Sequence, residues 1–416
     1  MSSERVIVGV DVGTTKVCTL IGEIDGDNRL NVVGVGITPS AGLRKGVVVD
    51  IDEAASSIRT SIERTERVSG YKIGTALVGI AGNHVTSQNS HGTVAISPQS
   101  HEVTQADVDR AIESAKAVPM PHNREVLHVI PREYIVDGED GIKDPLGMSG
   151  YRLEVVTHIV TGAIASIHNL EKCVQRAGIE IDDMVLEPMA SGEAVLSAAE
   201  RDLGVALVDI GGGTTDVAIY ANGGIYHTSV LPVGGNHLTN DIAVGLRAAS
   251  HVAEEMKIMY GSALSSRFRD DDMIDMMTFE HAMGEKVSRR FLCEILESRA
   301  RELMTMVGDE IRRSGYRGVL PAGVVLTGGS SQLTDLADLA RDVLQMPVRL
   351  GRPGHINGLT EEISGPAFAT SVGLLLWGLK NYDAVHMEAK SPPVGRMPSL
   401  LSRFTSIFRV FMPASG

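Results

Sequence analysis

The chain has 416 residues, more than one compact core holds, so two or more domains are expected. Hydrophobic residues make up 43% and charged residues 22%, a soluble globular balance. Fifty-two acidic against 38 basic side chains leave a net charge of -14, which argues against general nucleic-acid binding because a phosphate backbone needs a basic surface.

The N-terminus runs straight into an apolar strand without the basic start and long apolar core of a secretion signal. That strand ends at Asp11, followed by a Gly13 turn carrying Thr14, Thr15 and Lys16, and by a second strand-like run over 17–21, which together read as a hairpin. Further strands are expected over 30–36 and 75–81. Between them Asp52 is the expected N-cap of an amphipathic helix through 68, with Ala55, Ile58 and Ile62 on one face. This alternation marks a mixed α/β domain.

From 84 to 162 the character changes: hairpin-like runs over 85–96, a helix near 105–117 and the apolar stretch 126–134 suggest a subdomain inserted into the first half. A helix over 165–177 leads to Glu187, which precedes Pro188 at the start of another helix. A carboxylate there would either position a water for attack on a phosphate or simply favour the helix dipole. Both readings stay open on residues alone.

The first hairpin then recurs. Asp209 ends an apolar run, Gly211, Gly212 and Gly213 make the turn with Thr214 and Thr215, and a second β-rich run follows Asp216. Glycines let backbone N–H groups approach an anion without a Cβ in the way, and the Thr hydroxyls and Lys16 add donors. Two facing carboxylates, Asp11 and Asp209, would supply hard oxygen ligands for a hydrated Mg²⁺. The pair therefore predicts a nucleotide phosphate clamp between related halves. No G-x-x-x-x-G-K-[ST] run supports a P-loop and no G-x-G-x-x-G follows a strand.

Beyond the second loop, Gly235 and Asn236 open a helix to about 249, and a second helix carries Glu254 and Lys257 on one face, as nucleoside contacts or as a surface ion pair. A strand over 324–327 runs into Gly328, Gly329 and Ser330 and a helix over 333–344, a ready anion or ribose seat. The last core helix begins within 365–371. Three scattered cysteines suggest neither disulfides nor a zinc site and fit a reducing cytoplasm, and thirteen histidines show no ligand spacing.

Residues 385–398 are rich in Pro and Gly and read as a flexible linker. From 399 to 413, Leu400, Leu401, Phe404, Ile407, Phe408 and Phe411 fall at helical spacing on one face, with Arg403 and Arg409 also present. A tethered helix has no core for this stripe, so it is expected in a membrane interface or docked on a partner or on its own body. At roughly 1.5 to 3 kcal/mol per fully buried large apolar side chain, partial immersion of six outweighs the cost of ordering the helix.

The twin loops resemble those of the actin-like ATPase superfamily. The runs His128-Val129-Ile130-Pro131-Arg132-Glu133-Tyr134 and Gly141-Ile142-Lys143-Asp144-Pro145-Leu146-Gly147-Met148-Ser149-Gly150-Tyr151-Arg152-Leu153-Glu154, with the terminal helix, narrow the resemblance to the FtsA family of bacterial actin-like cell division proteins over essentially the whole chain. The resemblance implies an α/β, actin-like (ribonuclease H-like) two-lobed ATPase fold with duplicated halves and an inserted 1C subdomain. It implies subdomain 1A at 1–83, 163–196 and 362–384, 1C at 84–162, 2A at 197–229 and 305–361, and 2B at 230–304. Implied too are ATP and Mg²⁺ as cofactors with at most slow hydrolysis, self-association into filaments, and tethering of FtsZ polymers to the cytoplasmic side of the cell membrane at the division site, where other divisome proteins join.

Carried onto this sequence, Asp11 and Asp209 would hold Mg²⁺ through water, with Asp209 and Glu187 as the catalytic candidates. The stretches 13–16 and 211–215 would contact phosphates, and Gly235, Asn236, Glu254, Lys257 and Gly328 to Ser330 the rest of the nucleotide. FtsZ would bind near 234–300. The position before Pro188 varies in the family. The tail also departs from the pattern, with two arginines and no Trp or Lys. The competing classes are an actin-fold small-molecule kinase, which needs a second pocket with a base, and a pilus-assembly actin homologue, which would lack the terminal helix. A chaperone of the Hsp70 type would need more than the roughly thirty residues that follow the core.

Overall fold

Two β-sheets share one strand order. In the first, spatial neighbours run Leu30–Pro39, Lys16–Ile24, Arg5–Val12, Thr75–Ile80 and Glu180–Leu186, with the short pair Asn357–Gly358 added beside Leu30–Pro39. In the second they run Gly224–Leu231, Thr215–Ala221, Val205–Ile210, Val324–Thr327 and Val348–Leu350. Each sheet pairs three antiparallel strands and then adds two parallel ones. The duplicated halves expected from the repeat are thus a duplicated topology. The computed structural model describes residues 5–97, 101–275, 286–316, 318–354, 356–359 and 361–381. The linker and the tail stripe, from Leu400 through Arg403, Phe404 and Arg409 to Phe411, lie outside them.

Strand register refines the repeat. Asp11 pairs with Cys18 and Val12 with Val17, while Asp209 pairs with Asp216 and Ile210 with Thr215. The hairpins therefore have equal lengths, and Lys16 matches Thr214, not a second lysine. Thr14 and Thr15 match Gly212 and Gly213. Val205–Ile210 is buried at every position, as a strand covered on both faces requires a continuous apolar run.

The inserted segment is a four-stranded antiparallel sheet, ordered Thr86–Ala95, Arg152–Ala163, Arg124–Val136 and Glu139–Ile142. Helix Gln105–Lys116 covers one face, burying Val108, Ala111 and Ile112 against Leu153, Val155 and Ile159. The run over 85–96 is one strand and not a hairpin: its partner comes from Arg152–Ala163, a pairing too distant in sequence for local turn signals to show.

Other boundaries shift for local reasons. Helix Ile51–Ser69 is capped by Asp50, not Asp52, because the Asp50 carboxylate accepts the Asp52 and Glu53 amides at 2.9 and 3.0 Å. The helix opened by Gly235 ends at Leu246, where Arg247 turns left-handed at φ 52°. The stretch after Gly328 is a 3₁₀ turn, Gly329–Gln332, and the α-helix begins only at Leu336. The glycine turn therefore opens into a 3₁₀ turn and not an α-helix. Helix Arg289–Arg313 joins two cores: Leu292 and Leu296 pack with Leu238, Ile242 and Met256, while Ala300 onward packs beneath the second sheet. No helix among the described residues is long and apolar enough to cross a membrane.

The halves meet at two crossing helices, Glu187–Val195 and Ala369–Lys380. An added Cβ at Gly373 would stand 1.8 Å from the Ala190 carbonyl oxygen, so backbone touches backbone at the crossing. The Tyr220 hydroxyl, from the second sheet, donates to the Pro188 carbonyl at 2.8 Å. Gly373→Ala is therefore expected to lower urea-unfolding stability by roughly 1–3 kcal/mol through overpacking. Gly74→Ala, where nothing lies within 4 Å of the new methyl, is expected to change it by less than about 0.5 kcal/mol.

Candidate functional site

The two hairpin turns meet and together line one cleft of about 450 Å³. Each turn is closed by one backbone bond, Gly13 N–H to the Lys16 carbonyl at 3.1 Å and Gly211 N–H to the Thr214 carbonyl at 2.9 Å. A Cβ on Gly212 would sit 2.0 Å from Thr15 Oγ1, and one on Gly213 2.8 Å from Thr14 Oγ1. The second turn is glycine because the first turn's threonines occupy the space opposite it. Thr14 Oγ1 also accepts the Gly46 amide at 3.2 Å. The Lys16 ammonium donates to the Ala367 carbonyl and lies 4.9 Å from the centre of the Phe368 ring.

Four carboxylates gather behind the turns. Asp11, Glu187, Asp209 and Asp216 all line the cleft with Lys16. Ser371 Oγ donates to Asp11 at 2.7 Å and Thr370 Oγ1 to Asp209 at 3.3 Å. Burial, then the charge of Asp11, pushes the Asp209 carboxyl up to about 6. Burial raises Asp11, partly countered by Lys16. Asp216 is raised well above the usual range by burial and by Asp209, and one of its carboxylate oxygens is buried with no partner. Glu187 is raised well above it by burial and then by Asp11, Asp216 and Asp209. The dipole reading of Glu187 therefore does not exhaust its setting: this carboxylate faces three others.

Asp216 was legible as the last letter of the second repeat, yet its strand position gave no reason to single it out. Thr370 and Ser371 carried no signal, since hydroxyls at a helix start read as ordinary capping. Gly46 also lines the cleft. Of the expected phosphate contacts Thr215 alone is off the cleft: it is fully buried and its hydroxyl donates to the Val233 carbonyl at 2.8 Å. Side-chain alternation along the strand turns it inward, away from Thr214.

The cleft is also lined by Gly235, Asn236, Glu254, Lys257, Gly328, Gly329 and Ser330. The Gly235 and Asn236 amides donate to the Gly211 and Gly212 carbonyls at 2.9 and 2.8 Å, so these N–H groups brace the second turn, and Ser330 Oγ donates to Gly211 O at 2.9 Å. Gly328 has φ 83°, and a Cβ there would fall 2.3 Å from Asp209 Oδ1, which makes glycine obligatory. The Lys257 ammonium donates to Glu254 at 2.7 Å and to Thr239 Oγ1 at 2.8 Å. Lys257 and Glu254 are thus both an ion pair and part of the cleft wall.

A family model described as "Cell division protein FtsA" matches residues 206–373, and one described as "SHS2 domain inserted in FTSA" matches 82–161. The chain is 46% identical over 389 residues, 93% of each chain, to the cell division protein FtsA of Pseudomonas aeruginosa. In three dimensions it is similar to a chain of a PilM–PilN type IV pilus biogenesis complex (TM-score 0.61, 18% identity, 90% of this chain and 98% of that one). It is also similar to MreB5 of Spiroplasma citri bound to ADP (TM-score 0.53, 13% identity, 93% and 99%). The solved structures show the actin-like fold, and the sequence match shows the family: this chain belongs to the FtsA family of cell division proteins.

Proposed function

We propose that the chain is an ATP- and Mg²⁺-binding division adaptor that self-assembles, tethers FtsZ polymers to the inner face of the cytoplasmic membrane and receives later divisome proteins. The observation that carries this reading is the convergence of Asp11, Asp209 and both glycine turns on one cleft. ADP in the similar MreB5 structure supports a nucleotide there. We also assign 1A, 1C, 2A and 2B to the ranges given above.

The residues present fit a magnesium-bound triphosphate. Buried oxygen donors in excess of cations, one of them without a partner, suit a hard divalent ion. A hydrated ion would be shared by Asp11, Asp209 and phosphate oxygens. Mg²⁺ when bound supplies charge that neutralises the phosphates. Lys16 would then turn from the Ala367 carbonyl to a phosphate, and Gly213 and Thr214 would cradle another. Glu187, brought back toward the ionised form by a nearby cation, would orient water for slow turnover. Glu254 and Lys257 would hold the nucleoside.

For FtsZ, the helices Gly235–Leu246 and Ser250–Tyr260 with the start of Arg289–Arg313 expose Val244, Ile258, Met259 and Phe291, an apolar supply suited to a peptide partner. The membrane contact is assigned to the stripe from Leu400 to Phe411. Liposome flotation is expected for the full chain and lost in a chain ending at Met397; equal flotation would remove the membrane reading.

Asp209→Ala is expected to abolish Mg-ATP binding in equilibrium dialysis while leaving the fold intact, and retained affinity would mean the cleft is misassigned. Stability should move the other way. The Asp209 carboxyl titrates near 6 in the fold against about 3.9 unfolded. The proton it keeps therefore stabilises the fold fully below about 4, and that contribution is lost as pH rises through 6. Without nucleotide or Mg²⁺, Asp209→Asn should thus raise stability by roughly 2–3 kcal/mol at pH 7.5 and by less at pH 5, read by urea titration at both pH values.

A further inference from the structure

The inserted sheet grows out of the first half, yet its edge rests on the second. Strand Thr86–Ala95 lies against Gly224–Leu231, the outer strand of the second sheet. Ser87 Oγ donates to the Thr228 carbonyl at 2.7 Å, and His158 Nε2 lies 2.9 Å from Thr228 Oγ1. The other ring nitrogen, Nδ1, lies 2.8 Å from Asn89 Oδ1, on the residue paired directly across from His158. Burial, then His227 and Arg132, holds the His158 ring down to about 3, so it is neutral near pH 7. With Nδ1–H donated to Asn89, Nε2 accepts the Thr228 hydroxyl. Around this bond the Arg132 guanidinium stacks 3.6 Å from the centre of the Tyr226 ring, and Lys143 pairs with Asp202 at 2.9 Å.

The root of the inserted sheet reaches the first phosphate turn through Gly46. Gly46, whose amide bonds Thr14, would with a Cβ stand 2.7 Å from Gly82 Cα, and both glycines have positive φ. Arg124 clamps the root by donating to the His84 and Thr161 carbonyls at 2.9 and 2.8 Å. On the other flank a Cβ at Gly213 would meet Lys45 Cα at 3.0 Å. The segment 45–46 is therefore wedged between both phosphate turns and the root of the sheet. In this same arrangement the two turns touch each other.

We propose that the contact of Ser87 and His158 with Thr228 is a latch that joins the halves at a second point away from the crossing helices Glu187–Val195 and Ala369–Lys380, keeps the two phosphate turns against each other, and so favours a triphosphate over a diphosphate. This rests on the nucleotide reading of the cleft. A triphosphate reaches both turns and gains from their closeness. A diphosphate, lacking the terminal group, gains less. Binding linkage is reciprocal: if closure of the cleft favours the latch, the latch favours the ligand that closes the cleft by the same factor.

The test uses the full chain and equilibrium dialysis with Mg-ATP and Mg-ADP. The double variant Ser87→Ala/Thr228→Val, remote from the cleft, is expected to lose about fivefold in affinity for Mg-ATP relative to Mg-ADP, whereas Thr228→Ser, which keeps the hydroxyl, retains the preference. Should the double variant fail to fold, the exposed pair decides: Lys143→Glu is expected to cut the preference about twofold, an exposed ion pair being worth little, and Lys143→Glu/Asp202→Lys to restore it. An ATP-to-ADP preference unchanged in a folded variant overturns the latch. Failure of the unaltered chain to bind either nucleotide would overturn the cleft reading first, and the latch's ligand preference with it.

Discussion

Everything in this molecule is arranged around a crowding of like charge that the fold does not relieve by itself. Asp11, Glu187, Asp209 and Asp216 face one cleft beside Lys16, and the protein answers with hydroxyls from Ser371 and Thr370, while burial and mutual repulsion raise the carboxyl pKa values. A fold that merely needed stability would place apolar groups there. On the proposed reading a cation and phosphates would share this space, and carboxylates that repel one another in a free cleft become favourable around a divalent ion.

That crowding survives because the surrounding framework is stiff where it must be. The crossing of Glu187–Val195 with Ala369–Lys380 brings backbones into contact at Gly373 and Ala190. These same helices deliver Glu187 from the start of one and Thr370 and Ser371 from the start of the other. The elements that join the halves thus also furnish the groups that bond or face the carboxylates, so a change in the angle between the halves alters the electrostatics of the cleft directly.

Much of the site was legible because its signals are local. Glycine turns after an apolar run and an aspartate leave a signature in a few consecutive residues, and so Asp11, Lys16, Asp209 and Gly213 were found from spacing. What escaped depended on distant pairing. The partnership of Thr86–Ala95 with Arg152–Ala163 spans more than fifty intervening residues. Ser371 serves Asp11 from 360 positions away. The cap at Asp50 was missed by two residues because two neighbouring aspartates are equally good acceptors in sequence, and only the backbone angle decides between them.

Helix Arg289–Arg313 buries its first turns in one core and its remainder in another. Its 25 residues make a rod of about 37 Å at 1.5 Å per residue. Such a rod acts as a lever: a tilt of about 5° at one end displaces the other by about 3 Å over that length. A displacement of the exposed apolar tip, around Phe291, is therefore carried as rotation into the core beneath the sheet that bears Asp209.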